Sequence, residues 1–161
     1  MTMSSTQTRK NLADLIPELK AEDCNIEAID SGIRISFFDG QTFEIFEVGG
    51  WIQVGAMLLT EEELDDLTYR EEVFQFLLLL NSRCLGCRFS LDPEGALLLV
   101  EDVPWTKTTP ETINEAIDSI SFVGYAFYDV ILETGRIGLP PSEDEIDDMV
   151  SGKESDYDKY H

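Results

Sequence analysis

Apolar residues along the chain recur first at a helical and then at a strand period. Leu12, Leu15, Ile16 and Leu19 share one helix face, which predicts an amphipathic helix from Arg9 to Ala21, bent or shortened by Pro17. Ile33, Ile35 and Phe37 then alternate with Arg34 and Ser36, and Phe43 and Ile45 alternate with Thr42 and Glu44. Asp39-Gly40 between the two runs predicts a hairpin whose turn needs positive φ at both positions. Ile26–Ile29 predicts a shorter strand ahead of it, turning at Ser31-Gly32. Gly49-Gly50 makes the next turn, into a strand over Trp51–Leu59. The pattern is a β-meander.

The period then changes. Val73, Phe76, Leu77 and Leu80 lie on one helix face, and Phe74, Leu78 and Leu79 widen the apolar sector, so Tyr69–Asn81 is apolar almost all round. Such a helix must be covered on two sides. Cys87, Phe89 and Leu91 alternate into the turn Asp92-Pro93-Glu94-Gly95, and Ala96–Glu101 returns as the partner strand. Thr109-Pro110, with Glu111 behind it, spells a helix start. Ile113, Ala116, Ile117, Ile120, Gly124, Phe127 and Ile131 carry that helix to Thr134-Gly135, where the glycine predicts its end. The order α-β-β-β-α-β-β-α makes an α+β fold, one antiparallel sheet packed with helices.

Charge changes the picture most. The 161 residues hold 33 Asp+Glu against 11 Lys+Arg and one His, a formal net charge of −22. Phosphate binding draws on clustered Lys and Arg, so nucleic acid and anionic membrane surfaces are excluded as partners. From Ser142 onward, eight acids and two lysines net −6, and the rest of the chain nets −16. The body is therefore acidic in its own right. Residues 1–139 are read as a single domain, and 140–161, after Pro140-Pro141, as an acidic, disordered tail with at most a short turn around Ile146–Val150.

The pattern also limits the chemistry. His161, the single histidine, lies at the last position of that tail, which leaves no buried imidazole for a nucleophilic triad or a His-rich metal site. The longest apolar run, Phe76–Leu80, is far short of the roughly 20 residues that span a bilayer, and Met1–Lys10 has no apolar signal core. Three cysteines, an odd number, fit a reducing, cytoplasmic setting. Cys84-Leu85-Gly86-Cys87 follows a helix C-terminus, where the dipole does not favour a thiolate, and lacks further ligands for zinc. Ser90-x-Asp92-x-Glu94-Gly95 mimics a calcium loop, but its flanks alternate like strands. Glu61-Glu62-Glu63 and Asp65-Asp66 read as a solvated loop ahead of a helix. Neither cofactor nor metal is expected.

The local spelling resembles the type III secretion chaperone family, with its Tir-chaperone-like fold, from about Leu12 to Leu132. The resemblance rests on Phe76 and Leu77–Leu80 closing on Asn81, and on Phe89-Ser90-Leu91-Asp92 with Gly95. It continues in Leu97-Leu98-Leu99, Pro104, and a last helix with Ile113, Ile117, Phe122 and Ala126. The chain looks equally similar to uncharacterised bacterial proteins of that fold, some encoded beside phage-shock-protein-A-like membrane-remodelling proteins. The resemblance implies a small, acidic, cytoplasmic homodimer that binds an extended segment of another protein and is not an enzyme.

Candidate contact residues follow from strand parity. Phe38 and Phe46 fall opposite to Ile33, Ile35, Phe37, Phe43 and Ile45, so both face outward, and Trp51 joins them as a partner surface. Trp105 is read as a lid over the core. The surplus apolar face of the second helix, Phe74, Leu78 and Leu79, is assigned to a homodimer interface. The expected partner is a protein segment with hydrophobic residues and basic flanks. Two other classes stay open: an acidic regulator filling a basic protein's nucleic-acid site, and a small carboxylate- or metal-dependent enzyme.

Overall fold

A computed structural model describes Leu12, residues 24–83 and residues 85–152. Four strands come first: β1 (Cys24–Ile29), β2 (Gly32–Phe37), β3 (Thr42–Val48) and β4 (Trp51–Leu59). Helices α1 (Glu61–Asp65) and α2 (Arg70–Ser82) follow, then strands β5 (Arg88–Leu91) and β6 (Leu97–Pro104). A short 3-10 turn over Trp105–Lys107 leads into α3 (Pro110–Ile137) and α4 (Glu143–Gly152). The strands form one antiparallel sheet in the order β1-β2-β3-β4-β6-β5. This is the predicted α+β arrangement. The helix expected over Arg9–Ala21 falls outside the described residues except for Leu12, which belongs to the core.

Alternation puts one face of the sheet into the core. Ile33, Ile35, Phe43, Ile45, Ile52 and Val54 are all buried, as are Phe89, Leu97, Leu99 and Val103 on the far strands. The register aligns Ile33, Ile45 and Val54 across three neighbouring strands. Against them pack Val73, Phe76, Leu77 and Leu80 of α2 and the stripe from Ile113 to Ile131 of α3. Each such side chain contributes about 1.5–3 kcal/mol by leaving water. Phe76 meets Phe127 edge-on at 6.3 Å between ring centroids, which joins the two helices.

The turns differ from the expected two-residue hairpin at Asp39-Gly40. Gly40 N–H donates to Phe37 O and Phe37 N–H donates to Gln41 O, with Gly40 at φ 94°. That is a three-residue hairpin loop with a left-handed third residue, not a two-residue turn. Pro93-Glu94-Gly95 repeats it: Gly95 N–H donates to Asp92 O, Asp92 N–H donates to Ala96 O, and Gly95 has φ 97°. Gly49-Gly50 is a two-residue turn, both glycines at positive φ. The β1–β2 turn is Asp30-Ser31, because Gly32 is already the partner of Ile29.

Helix boundaries needed three corrections. Gly135 does not end α3: a Cβ there would lie 2.8 Å from Leu67 Cδ1, so the glycine admits the segment between α1 and α2. The helix stops at Gly138, in the left-handed region at φ 74°, whose N–H donates to Thr134 O. The acids after Thr60 are not a solvated loop, since Thr60 and Glu63 cap each other's backbone N–H and start α1. The stretch beyond Pro140, expected as a disordered tail, holds α4. There Ser142 N–H donates to Glu145 Oε2 at 2.7 Å and Glu145 N–H donates to Ser142 Oγ at 3.3 Å. Ile146 is fully buried, and Arg83 at the end of α2 pairs with Asp147 at 2.8 Å.

Candidate functional site

The outer face of the sheet carries a patch built by register. Val48 opposes Trp51, which opposes Pro104, and one row along Phe46 opposes Gln53 and Gly32. The Phe46 ring lies over Gly32, where a Cβ would come within 2.9 Å of Phe46 Cδ1. Trp51 is 50% exposed and Val48 is exposed beside it. Met57 adds exposed apolar area farther along β4. Strand parity could have found Val48 and Met57, since Val48 follows Phe46 and Met57 follows Trp51 in steps of two.

Phe38 does not join that patch. It sits in the loop before β3, 80% exposed, and at strand rise about 13 Å separates Thr42 from Phe46. Phe38 and Phe46 therefore mark opposite ends of one hairpin. Parity counted through the turn brought them together falsely, because the loop interrupts the alternation. Trp105, expected as a lid, is partly buried against the core, and its backbone N–H donates to Gly50 O.

The polar residues around the patch are paired. Arg34 donates to Glu44 Oε1 from Nη2 at 2.7 Å and from Nε at 3.1 Å, and reaches Glu27 at 3.3 Å. Arg88 meets Asp102 at 2.5 Å, and Gln53 donates to the same carboxylate. Arg70 pairs with Asp65, Arg83 with Asp147 and Glu143, and Arg136 with Glu133. Among the described residues, then, every arginine is engaged by a carboxylate. The surplus charge at the surface is carboxylate.

On α2, the sequence-predicted interface residues differ in exposure. Leu78 is 69% exposed, whereas Phe74 and Leu79 are half-buried against the core. Arg70 stacks over the Phe74 ring, 5.3 Å from its centroid. At the C-terminal end, Asn81 donates to Phe89 O at 3.0 Å and accepts from Phe89 N–H at 2.8 Å. Its amide thus substitutes for a strand neighbour at the outer edge of β5.

Cys84 lies outside the described residues. Cys87 is buried and its thiol is pushed up to about 11, first by burial and then by the negative charge of Glu101, against a hydrogen bond with Ser119. The thiol form is therefore favoured over the thiolate at neutral pH. Glu101 is the carboxylate on the core-facing side of β6, opposite Val54. Burial raises its pKa, the Ser119 hydrogen bond opposes, and Glu115 and Asp102 add to the rise. Its Oε2 is buried with no hydrogen-bond partner. The calcium-loop mimic is a hairpin loop in which Asp92 accepts from Ala96 N–H. Among the described residues no three His, Cys, Asp or Glu side chains cluster as a metal site, and no helix is long and apolar enough to cross a membrane.

Comparison with known proteins places the fold. A chain of the ExsC-ExsE complex matches with a TM-score of 0.55 at 12% identity, over 74% of this chain and 90% of that one. A chain of the HopA1-SchA chaperone-effector complex matches at 0.52 and 14% identity, over 73% of this chain and 90% of that one. An uncharacterized protein from Methanothermobacter thermautotrophicus matches at 0.53 and 11% identity, over 76% and 97%. No family model and no curated protein matches the sequence. At such identities the likeness is one of fold, and that fold is type III secretion chaperone-like.

Proposed function

We propose that the chain is a non-enzymatic, cytoplasmic, chaperone-like binding module that holds a hydrophobic, basic-flanked segment of a partner protein. The observation that carries this reading is the outer-face patch of Phe46, Val48 and Trp51, set in a surface whose described arginines are paired and whose net charge is negative. The apolar residues supply contact area, and the carboxylates steer basic flanks and repel acidic chains. Phe38, at the other end of the hairpin, serves a different stretch of the same partner. Likeness in fold to chains from a chaperone-effector complex supports the class, and the residues here are this chain's own.

The test is capture of the partner from the native cell, followed by binding of that purified partner to variants. Phe46→Ala with Trp51→Ala should weaken it at least about tenfold, and moderate salt should weaken it less. Steep loss with salt and indifference to both aromatics would favour the acidic regulator that mimics phosphate charge. We assign Leu78, with Phe74 and Leu79, to a homodimer contact, since an exposed leucine on a helix already covered on one side suits a second subunit. Leu78→Asp should yield monomers by light scattering. An unchanged mass would remove the dimer from the proposal.

A further inference from the structure

A second surface begins at Met57, beyond Phe46 and Trp51. Between α3, the loop after β2 and the end of β4 runs a groove of about 1180 Å³. Its depth comes from Gly124: a Cβ there would stand 3.4 Å from Leu99 Cδ1 and 3.7 Å from Leu58 Cδ1, so a larger residue would fill the space above them. Leu58 reaches this point because the β4–β6 register shifts between Met57 and Leu59, a bulge that turns the strand. Met57 and Met149, the latter from α4, line the groove, and Tyr125 and Tyr128 stand on its lip, Tyr125 at 83% exposure. Ser121 Oγ donates to Gln41 Oε1 at 3.3 Å and ties the helix to the loop. Among the described residues of the lining, Asp39 and Asp129 carry the charges, and both are negative.

We propose that this groove is a second seat for the partner, taking an apolar segment that carries Lys or Arg beside its hydrophobic residues. The inference rests on the reading of the chain as a protein-binding module and adds where, and what, it binds. Methionines adapt to varied apolar shapes, and tyrosines give large contact at small entropic cost. The sign of the charge selects the occupant. A basic flank finds Asp39 and Asp129 there, whereas an acidic segment would be repelled by both.

The probe is a synthetic amphipathic peptide with leucines at i, i+3, i+4 and i+7 and lysines at both ends, titrated into the full chain and followed by NMR. Shifts should move at Gly124, Tyr125 and the methyls of Met57 and Met149. Gly124→Leu should raise the Kd at least about tenfold. Asp129→Lys, a change at an exposed position, should raise it about two- to fivefold and flatten its salt dependence, while Asp118→Lys on the same helix should not. Equal binding of a twin peptide with glutamates at its ends would overturn the proposal. Shifts confined to Phe46 and Trp51 would overturn it while leaving the binding module intact. No shift at all, with a captured partner that still depends on Trp51, would do the same. A fall in the mass of the unliganded protein on Gly124→Leu would give the groove to a second copy and overturn it too.

Discussion

The two faces of the sheet are made from the same strands and obey opposite rules. On the inner face, Ile33, Ile45 and Val54 stand in one cross-strand row with essentially no exposure. On the outer face, in the adjacent row, stand Arg34, Glu44 and Gly55, the first two joined as an ion pair. A one-residue slip would exchange the two sets, so the buried face fixes the register and the open face inherits its geometry from it. Placement of Phe46 beside Trp51 is therefore a by-product of core packing. The lesson is that stability and recognition can be altered separately here, although both are read from one alternating pattern.

The largest effect should come from the inner face. Ile45→Ala should cost about 2–5 kcal/mol in urea unfolding, because the strand cannot collapse around the void. Trp51→Ala should change stability by less than about 0.5 kcal/mol, and a cost near that of Ile45→Ala would break the comparison. Next comes a pair of glycines on α3. Gly135→Ala should cost about 1–3 kcal/mol, since its Cβ would press on Leu67 Cδ1 and Cδ2 at 2.8 Å. Gly124→Ala, with only an ordinary contact to Leu99, should be neutral or stabilise by up to about 1 kcal/mol through helix propensity.

The inner face also holds one misfit, Glu101, whose unpartnered Oε2 sets the third expectation. Its folded-state pKa is raised, so the protonated form is favoured in the fold. The stability it contributes is whole below the ordinary carboxylate pKa and is lost as pH rises through the raised value. Glu101→Gln should thus stabilise by about 1 kcal/mol at neutral pH, with the gain gone in acid, as read from urea midpoints across pH. A gain that did not depend on pH would mean that shape, not charge, is the misfit. The smallest effect should be that of Arg83→Gln, which frees Asp147 and Glu143 and should cost about 0.2–1 kcal/mol, seen best as faster amide exchange in α4.

Most of the fold was legible because most of it is periodic. Ile33 to Ile45 spells its faces directly, and Trp51–Leu59 matches β4 end to end. The misses occur where a local cap competed with composition. Thr60-x-x-Glu63 and Ser142-x-x-Glu145 are both capping boxes, yet the surrounding acids suggested loop and tail. Gly135 looked like a helix end because sequence cannot show that Leu67 needs its missing Cβ. The candidate surface was half legible: Phe46 and Trp51 follow from parity, Phe38 was misplaced by its loop, and the groove at Gly124 depends on a bulge with no local signal.

Asn81 has a consequence for assembly. By occupying both backbone groups of Phe89, within a four-residue edge strand, it takes the pairing groups that another strand would need there. A sheet obstructed at an edge does not readily repeat edge to edge. The asparagine therefore acts as a guard on that edge, and Asn81→Leu would leave both groups of Phe89 open to another strand.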